Sequence, residues 1–158
     1  MLTIEKAMIL KAGEIFADIP DETLAELASV LDEMELEAGA VLFEKDEIGD
    51  SMYIIVSGRI RVHDGDTTIA ELGEGDILGE MSVLDLSPRS ATATAEEDSF
   101  LLRLERDTFF EVMADHREVA HGIIHVLCER IRERNARRVR PGQANPGGEP
   151  SAPAAPPA

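Results

Sequence analysis

The sequence predicts a mainly β domain with flanking helices: an antiparallel β-structure over 34–104, a helical segment over 1–33 and further helices over 105–140. Three observations predict it. Apolar residues recur at helical spacing before residue 33, give way to short strand-like runs between Met34 and Leu104, and return to helical spacing afterwards. Glycines at 39, 49, 58, 65, 73, 75 and 79 punctuate the central stretch at intervals that suit short strands joined by turns. The final stretch, 141–158, has six of the eight prolines and no apolar residue larger than alanine, the composition of a disordered tail.

Ile4, Ala7 and Met8 share one helical face, so residues 3–12 read as a short amphipathic helix ending near Gly13. The run Ile15–Asp21 is a turn that delivers apolar side chains. Asp21 serves as N-cap of a second helix that places Leu24, Leu27, Ala28 and Leu31 on one side. Strands follow at 41–43, 52–56, 60–62 and 69–72, with Ser57-Gly58 and Asp64-Gly65 as hairpin turns. A second pair, 91–95 and 100–104, closes the set. Periodicity leaves a roll and a sandwich equally open.

After the strands, Thr108-Phe109-Phe110-Glu111 has the pattern of a capping box opening a helix, which Asp115-His116 breaks. A longer helix runs to about Val139. Its apolar seam is Ala120, Ile124, Leu127 and Ile131, and Arg132, Glu133, Arg134, Arg137 and Arg138 make the rest polar.

Composition bounds the function. The chain has 158 residues, 44% hydrophobic and 30% charged, enough for one domain with a core. Its formal net charge of -17 repels nucleic acid and anionic membranes, so neither is an expected partner. The charge is uneven, because the basic residues gather over Arg130–Arg140, where interleaved Glu133 and the lack of aromatics favour a solvated helix face. Met1–Lys11 is too charged, and its apolar run too short, for a signal or membrane helix, so a cytoplasmic location is expected. A single cysteine, Cys128, fits a reducing compartment. His63, His116, His121 and His125 lack partners at catalytic or metal-binding spacing, so no catalytic residue, metal or cofactor is expected.

Chemistry concentrates in Gly79–Ala95, GEMSVLDLSPRSATATA. Glu80–Leu84 is long enough for one helical turn whose free N–H groups attract an anion. Arg89 stands between Pro88 and a run of small residues, Ser90 to Ala95, over which a ligand can approach the backbone. The stretch has the makings of a phosphate cradle.

Gly-Glu-Met-Ser, Leu84 and Pro-Arg-Ser-Ala-Thr at this spacing resemble the phosphate-binding cassette of the cyclic nucleotide-binding domain family. The Ile-Pro-Asp-Glu-x-Leu opening at residue 19 is similar to that family's N-terminal helical bundle. The resemblance implies an eight-stranded β-roll, a cyclic nucleotide as ligand, and a cassette of Gly79, Glu80, Met81, Ser82, Arg89, Ser90 and Ala91. It places Arg89 on the phosphate and Glu80 on the ribose 2′-hydroxyl, with main-chain N–H groups completing the cradle. Position 90 holds serine, where the family's threonine favours cGMP and alanine cAMP; serine leaves the base preference open, and cAMP is the expected ligand with cGMP the alternative. The resemblance also implies that the long helix covers the base, with Arg130, Arg132 and Arg134 as lid residues, and signals to a protein partner or a second copy through 117–139. The family's transcription factors continue from the long helix into a helix-turn-helix domain, where this chain runs into the Pro-rich stretch, so DNA binding by this chain is not expected. The competing reading is a β-roll interaction module that has kept the cassette and lost its ligand.

Overall fold

A computed structural model describes residues 1–13 and 15–138; the tail at 141–158 and Val139 lie outside the described residues. Two helices come first, α1 (Thr3–Ala12) and α2 (Asp21–Ser29), followed by β1 (Asp32–Leu36), β2 (Val41–Phe43), β3 (Ser51–Ser57), β4 (Ile60–Asp64), β5 (Thr67–Leu72) and β6 (Ile77–Leu78). The short helix α3 (Glu80–Asp85) precedes β7 (Thr92–Ala95) and β8 (Ser99–Glu105), and α4 (Arg106–Asp115) and α5 (Arg117–Arg138) complete the described chain. Eight antiparallel strands thus form two four-stranded sheets, β1-β8-β3-β6 and β2-β7-β4-β5, with helices flanking them. This is the β-roll that the resemblance implied.

The roll's interior is a cluster of Tyr53, Ile55, Ile60, Leu78, Ala93, Ala95 and Leu101, with Met34, Leu36, Leu42, Phe43 and Leu72 packed against it. On β3 and β8 the alternate residues Met52, Ile54, Leu102 and Leu104 are buried as well. Side chains alternate across a strand, so these two strands are covered on both faces; β3 reads as the continuous apolar run Met52 to Val56, whereas half-buried Arg103 interrupts β8. Helix α3 contacts β3 and α4 contacts β8. On β7, Ala93 and Ala95 are buried while Thr92 and Thr94 are half-buried, so the small residues sit on the interior face.

Several local expectations need correction. Ser57-Gly58 is no hairpin turn, because β3 pairs with β8 and β6 whereas β4 pairs with β5 and β7. The link instead crosses between sheets, and Gly58 has φ +103° and lies where a Cβ would come 2.6 Å from Ser99 Cα. Gly65, by contrast, does lie in a hairpin turn, since Asp64 pairs with Thr67. Strands 92–95 and 99–105 belong to different sheets and are not a pair. The two-residue strand β6 and the first strand β1 were not separately predicted.

Helix α2 starts one residue earlier in the chain than a cap at Asp21 requires, with Pro20 as N-cap. Helix α4 starts at Arg106, with Glu105 as N-cap, so Thr108 lies inside it. The cause is tertiary: Arg106 donates its main-chain N–H to Asp50 O (2.8 Å) and its Nε to Val83 O (3.0 Å), and its guanidinium covers the Phe110 ring at 4.4 Å. On α1, Ile4 and Met8 remain exposed and Leu10 is the buried side chain.

The chain divides into two compact units, Met1–Gly122 and Ile123 onward. In the first, the opening turn of α5 holds the buried Val119, and Gly122 comes so close to Ile15 that a Cβ would lie 2.8 Å from its Cα and carbonyl oxygen. The second contains the remainder of α5. Of the expected seam, Ile124 and Ile131 are 59% and 58% exposed, whereas Ala120 and Leu127 are half-buried. Among the described residues no helix is long and apolar enough to cross a membrane.

Candidate functional site

The site forms where β6 ends and the chain turns into α3. Gly79 takes φ +85°, a conformation that favours glycine, and caps α3. This brings Glu80 into the first turn, 2% exposed, beside buried Ser82 and Val83. The helix is stopped by Leu86 at φ 57°, after which Asp85 accepts from the Ser87 N–H (3.1 Å) and hydroxyl (2.5 Å) and leads the chain into Pro88-Arg89.

Arg89 is 4% exposed although it carries a charge. Its main chain is clamped to the 46–49 loop: the Arg89 N–H donates to Glu47 O and the Asp46 N–H to Arg89 O, both at 2.8 Å, next to a bridge between Ile48 and Pro88. Its side chain donates Nη1 to Gly79 O at 3.1 Å and Nη2 to Ser51 O at 2.9 Å. The guanidinium carbon lies 4.2 Å from the centroid of the Phe43 ring. Nε is buried with no hydrogen-bond acceptor among the described residues.

Two glycines make room for this group. A Cβ at Gly49 would stand 2.2 Å from Arg89 Cζ and Nε, and one at Gly79 would stand 2.7 Å from Nη1. Burial is the largest influence on the guanidinium and pushes its pKa below the ordinary value; Tyr53, Asp50, Glu47 and Glu80, in that order, act the other way. Arginine nevertheless stays charged at any working pH. A buried cation of this kind is best stabilised by an anion that can accept from more than one of its N–H groups.

Of the expected cassette residues, Gly79 to Ser82 open α3 and Arg89, beyond that helix, reaches back to Gly79 O, but the side chains differ in placement. Glu80, Ser82, Arg89 and Ala91 are buried, Gly79 is half-buried, and Met81 and Ser90 are exposed. Arg130, Arg132 and Arg134 belong to the second unit, where Arg132 Nη1 donates to Glu129 at 2.8 Å. Phe43, Gly49 and Ser51 were missed from the sequence. The signal for them was faint: a single Gly-Asp pair after Ile48, far from the cassette in the chain. Among the described residues, no group of three or more His, Cys, Asp or Glu is placed to hold a metal ion.

The sequence model of the family described as the cyclic nucleotide-binding domain matches residues 33–116. A cyclic AMP receptor protein of Thermus thermophilus is 33% identical over 129 residues, 78% of this chain and 60% of that protein. A cyclic nucleotide-binding-like protein from Brucella abortus superposes with a TM-score of 0.61 at 32% identity, covering 70% of this chain and 98% of the other. The regulatory domain of Toxoplasma gondii PKA, crystallised with cAMP, superposes with a TM-score of 0.64 at 28% identity, covering 69% and 43%. The chain spans about three fifths of the length of the curated relatives it matches first.

Proposed function

The chain belongs to the cyclic nucleotide-binding domain family, and from that premise we propose that it is a cyclic nucleotide sensor module, binding cAMP in preference to cGMP. The observation that carries the reading is Arg89: a guanidinium 4% exposed, anchored on two main-chain carbonyls, with Nε–H buried and lacking an acceptor among the described residues. A cyclic phosphodiester offers a single negative charge on two exocyclic oxygens, which a planar fork of N–H donors matches.

In this reading Glu80 accepts from the ribose 2′-hydroxyl, and the main-chain N–H groups of Gly79, Ser82, Ser90 and Ala91 complete the phosphate cradle. Ser90, with its short exposed side chain, sets no strong base preference by itself. The lean to cAMP rests on relatives described as cAMP receptor and cAMP-activated regulators. Output passes to a protein partner or a second copy through α5, whose Ile124 and Ile131 are exposed, and Arg130, Arg132 and Arg134 are its candidates for the base edge. The module acts in the cytoplasm and performs no catalysis itself.

Calorimetric titration of the full chain with cAMP and with cGMP tests the proposal. Saturable binding of cAMP that is tighter than that of cGMP is the expected result. Heat of dilution alone for both nucleotides would overturn it and leave the interaction-module reading.

A further inference from the structure

Two hydrogen bonds do not fully fix a planar group. With Nη1 on Gly79 O and Nη2 on Ser51 O, the Arg89 guanidinium is located in its own plane but remains able to tilt about the line through those two nitrogens. A third contact is needed to set the tilt, and Phe43 makes it, its ring centroid 4.2 Å from Cζ. The ring is itself held, because Phe43 is half-buried on β2, packs against the roll's core cluster, and lies tilted 31° to Tyr53 with centroids 6.2 Å apart. The glycine backbones at 49 and 79 wall the same group closely enough to exclude a Cβ.

We infer that Phe43 is a positioning residue for Arg89, setting the plane of the guanidinium and thereby which exocyclic phosphate oxygen its donors reach. This rests on the nucleotide reading above. Phe43 lies forty-six residues from Arg89, outside the cassette, and in this inference acts on the ligand through that guanidinium. Stacking a desolvated arginine on an aromatic face is worth enough to matter: the usual range corresponds to about 3- to 30-fold in affinity. An aliphatic side chain of similar volume fills the same space but presents no negative π-face.

The test compares the full-length wild type with Phe43→Leu and Phe43→Tyr. Titration with cAMP and with the two phosphorothioate diastereomers, in which sulfur replaces one or the other exocyclic oxygen, reads the orientation of Arg89. Phe43→Leu is expected to lose about 3- to 30-fold in cAMP affinity and to shrink the ratio of affinities between the diastereomers, whereas Phe43→Tyr keeps both. A purely structural role would weaken both diastereomers alike and leave their ratio unchanged, which overturns the inference, as does a Leu variant indistinguishable from wild type. The Arg89 Nε–H resonance of the ligand-free chain supplies a readout independent of binding. Shielded by the ring in wild type, it should move downfield in Phe43→Leu and stay in place in Phe43→Tyr; no movement in the Leu variant overturns the inference even where nucleotide binds. Wild type that binds no cyclic nucleotide overturns the functional reading instead.

Discussion

A Cβ on Gly49 would lie 2.2 Å from the Arg89 guanidinium carbon, so these two residues, forty apart in the chain, share one space. Gly49 is not in the left-handed region, so alanine there meets no backbone strain. The obstacle is the far end of a flexible side chain, which can swing aside without moving the fold. Gly49→Ala should therefore displace the guanidinium, with ligand affinity falling by up to about 2–5 kcal/mol, the scale for losing one partner of a buried charged contact. Its thermal midpoint should stay near that of wild type. Gly58→Ala is the control with opposite behaviour: at φ +103°, with Ser99 Cα 2.6 Å from the added carbon, it should cost about 1–3 kcal/mol of stability. Calorimetry and thermal melts on the two variants check the contrast, and a melt for Gly49→Ala as low as that for Gly58→Ala would refute it.

Arg89 and Glu80 are buried to a similar degree but have unequal tasks in the proposed complex. Arg89→Ala removes the charge that meets the phosphate and should weaken cAMP binding by about 2–5 kcal/mol. Glu80→Gln keeps shape and one acceptor oxygen, so its loss should be smaller, about 1.5–3 kcal/mol, as for a hydrogen bond to a charged group. The same loss should appear when wild type is titrated with 2′-deoxy-cAMP. If wild type binds the deoxy ligand as tightly as cAMP, Glu80 does not serve the ribose.

The cassette was legible because its parts are local. Gly79, Glu80 and Arg89 fall within one short run, and each residue type there answers a physical need that a reader can name. What holds Arg89 was not legible, since Phe43, Gly49 and Ser51 reach it only when β2 and β3 come together in different sheets. Gly58 misled for a related reason. Its positive φ is what a hairpin turn needs, yet here it serves a close approach to Ser99 on the way from one sheet to the other. On α5 the periodicity was visible but its phase was not: the buried residues are Val119 and Ile123, each one residue ahead of Ala120 and Ile124 of the expected seam. Thr108 resembled a cap until Arg106, anchored on Asp50 and Val83, started the helix sooner.

The turn that delivers Arg89 has its own pH sensitivity. The Asp85 carboxyl is held below its ordinary value of 3.8, chiefly by the Ser87 hydroxyl and then by the Ser87 N–H. A carboxylate with a depressed native pKa contributes fully above the unfolded value and loses that contribution as pH falls through the native one. The Ser87 turn should thus be unchanged from neutral pH down to the ordinary carboxylate range and loosen only below it. The Ser87 amide resonance, followed by NMR through an acid titration, should report that step, and Asp85→Ala should abolish it. A Ser87 titration centred above 3.8 would contradict the assignment.

Signalling by α5 makes the last prediction, and the packing of Gly122 decides how it must be tested. A cut after Asp115 would strip Val119 and Gly122 from the first unit, exposing the Ile15 backbone that Gly122 covers, so lost affinity would mix with lost stability. Hydrogen exchange on the full chain avoids that. A helix responds to ligand only if its contacts differ between two positions. If α5 is the responding element, residues 123–138 should exchange more slowly at saturating cAMP, while 117–122, already packed in the first unit, should change little. Truncation after Arg140 should leave cAMP affinity unaltered, because the Pro-rich remainder has no apolar side chain larger than alanine to bury. Equal exchange across 123–138 with and without saturating cAMP would exclude α5 as the output and move the search to the surface around α3, where Met81 and Leu86 are 51% and 56% exposed.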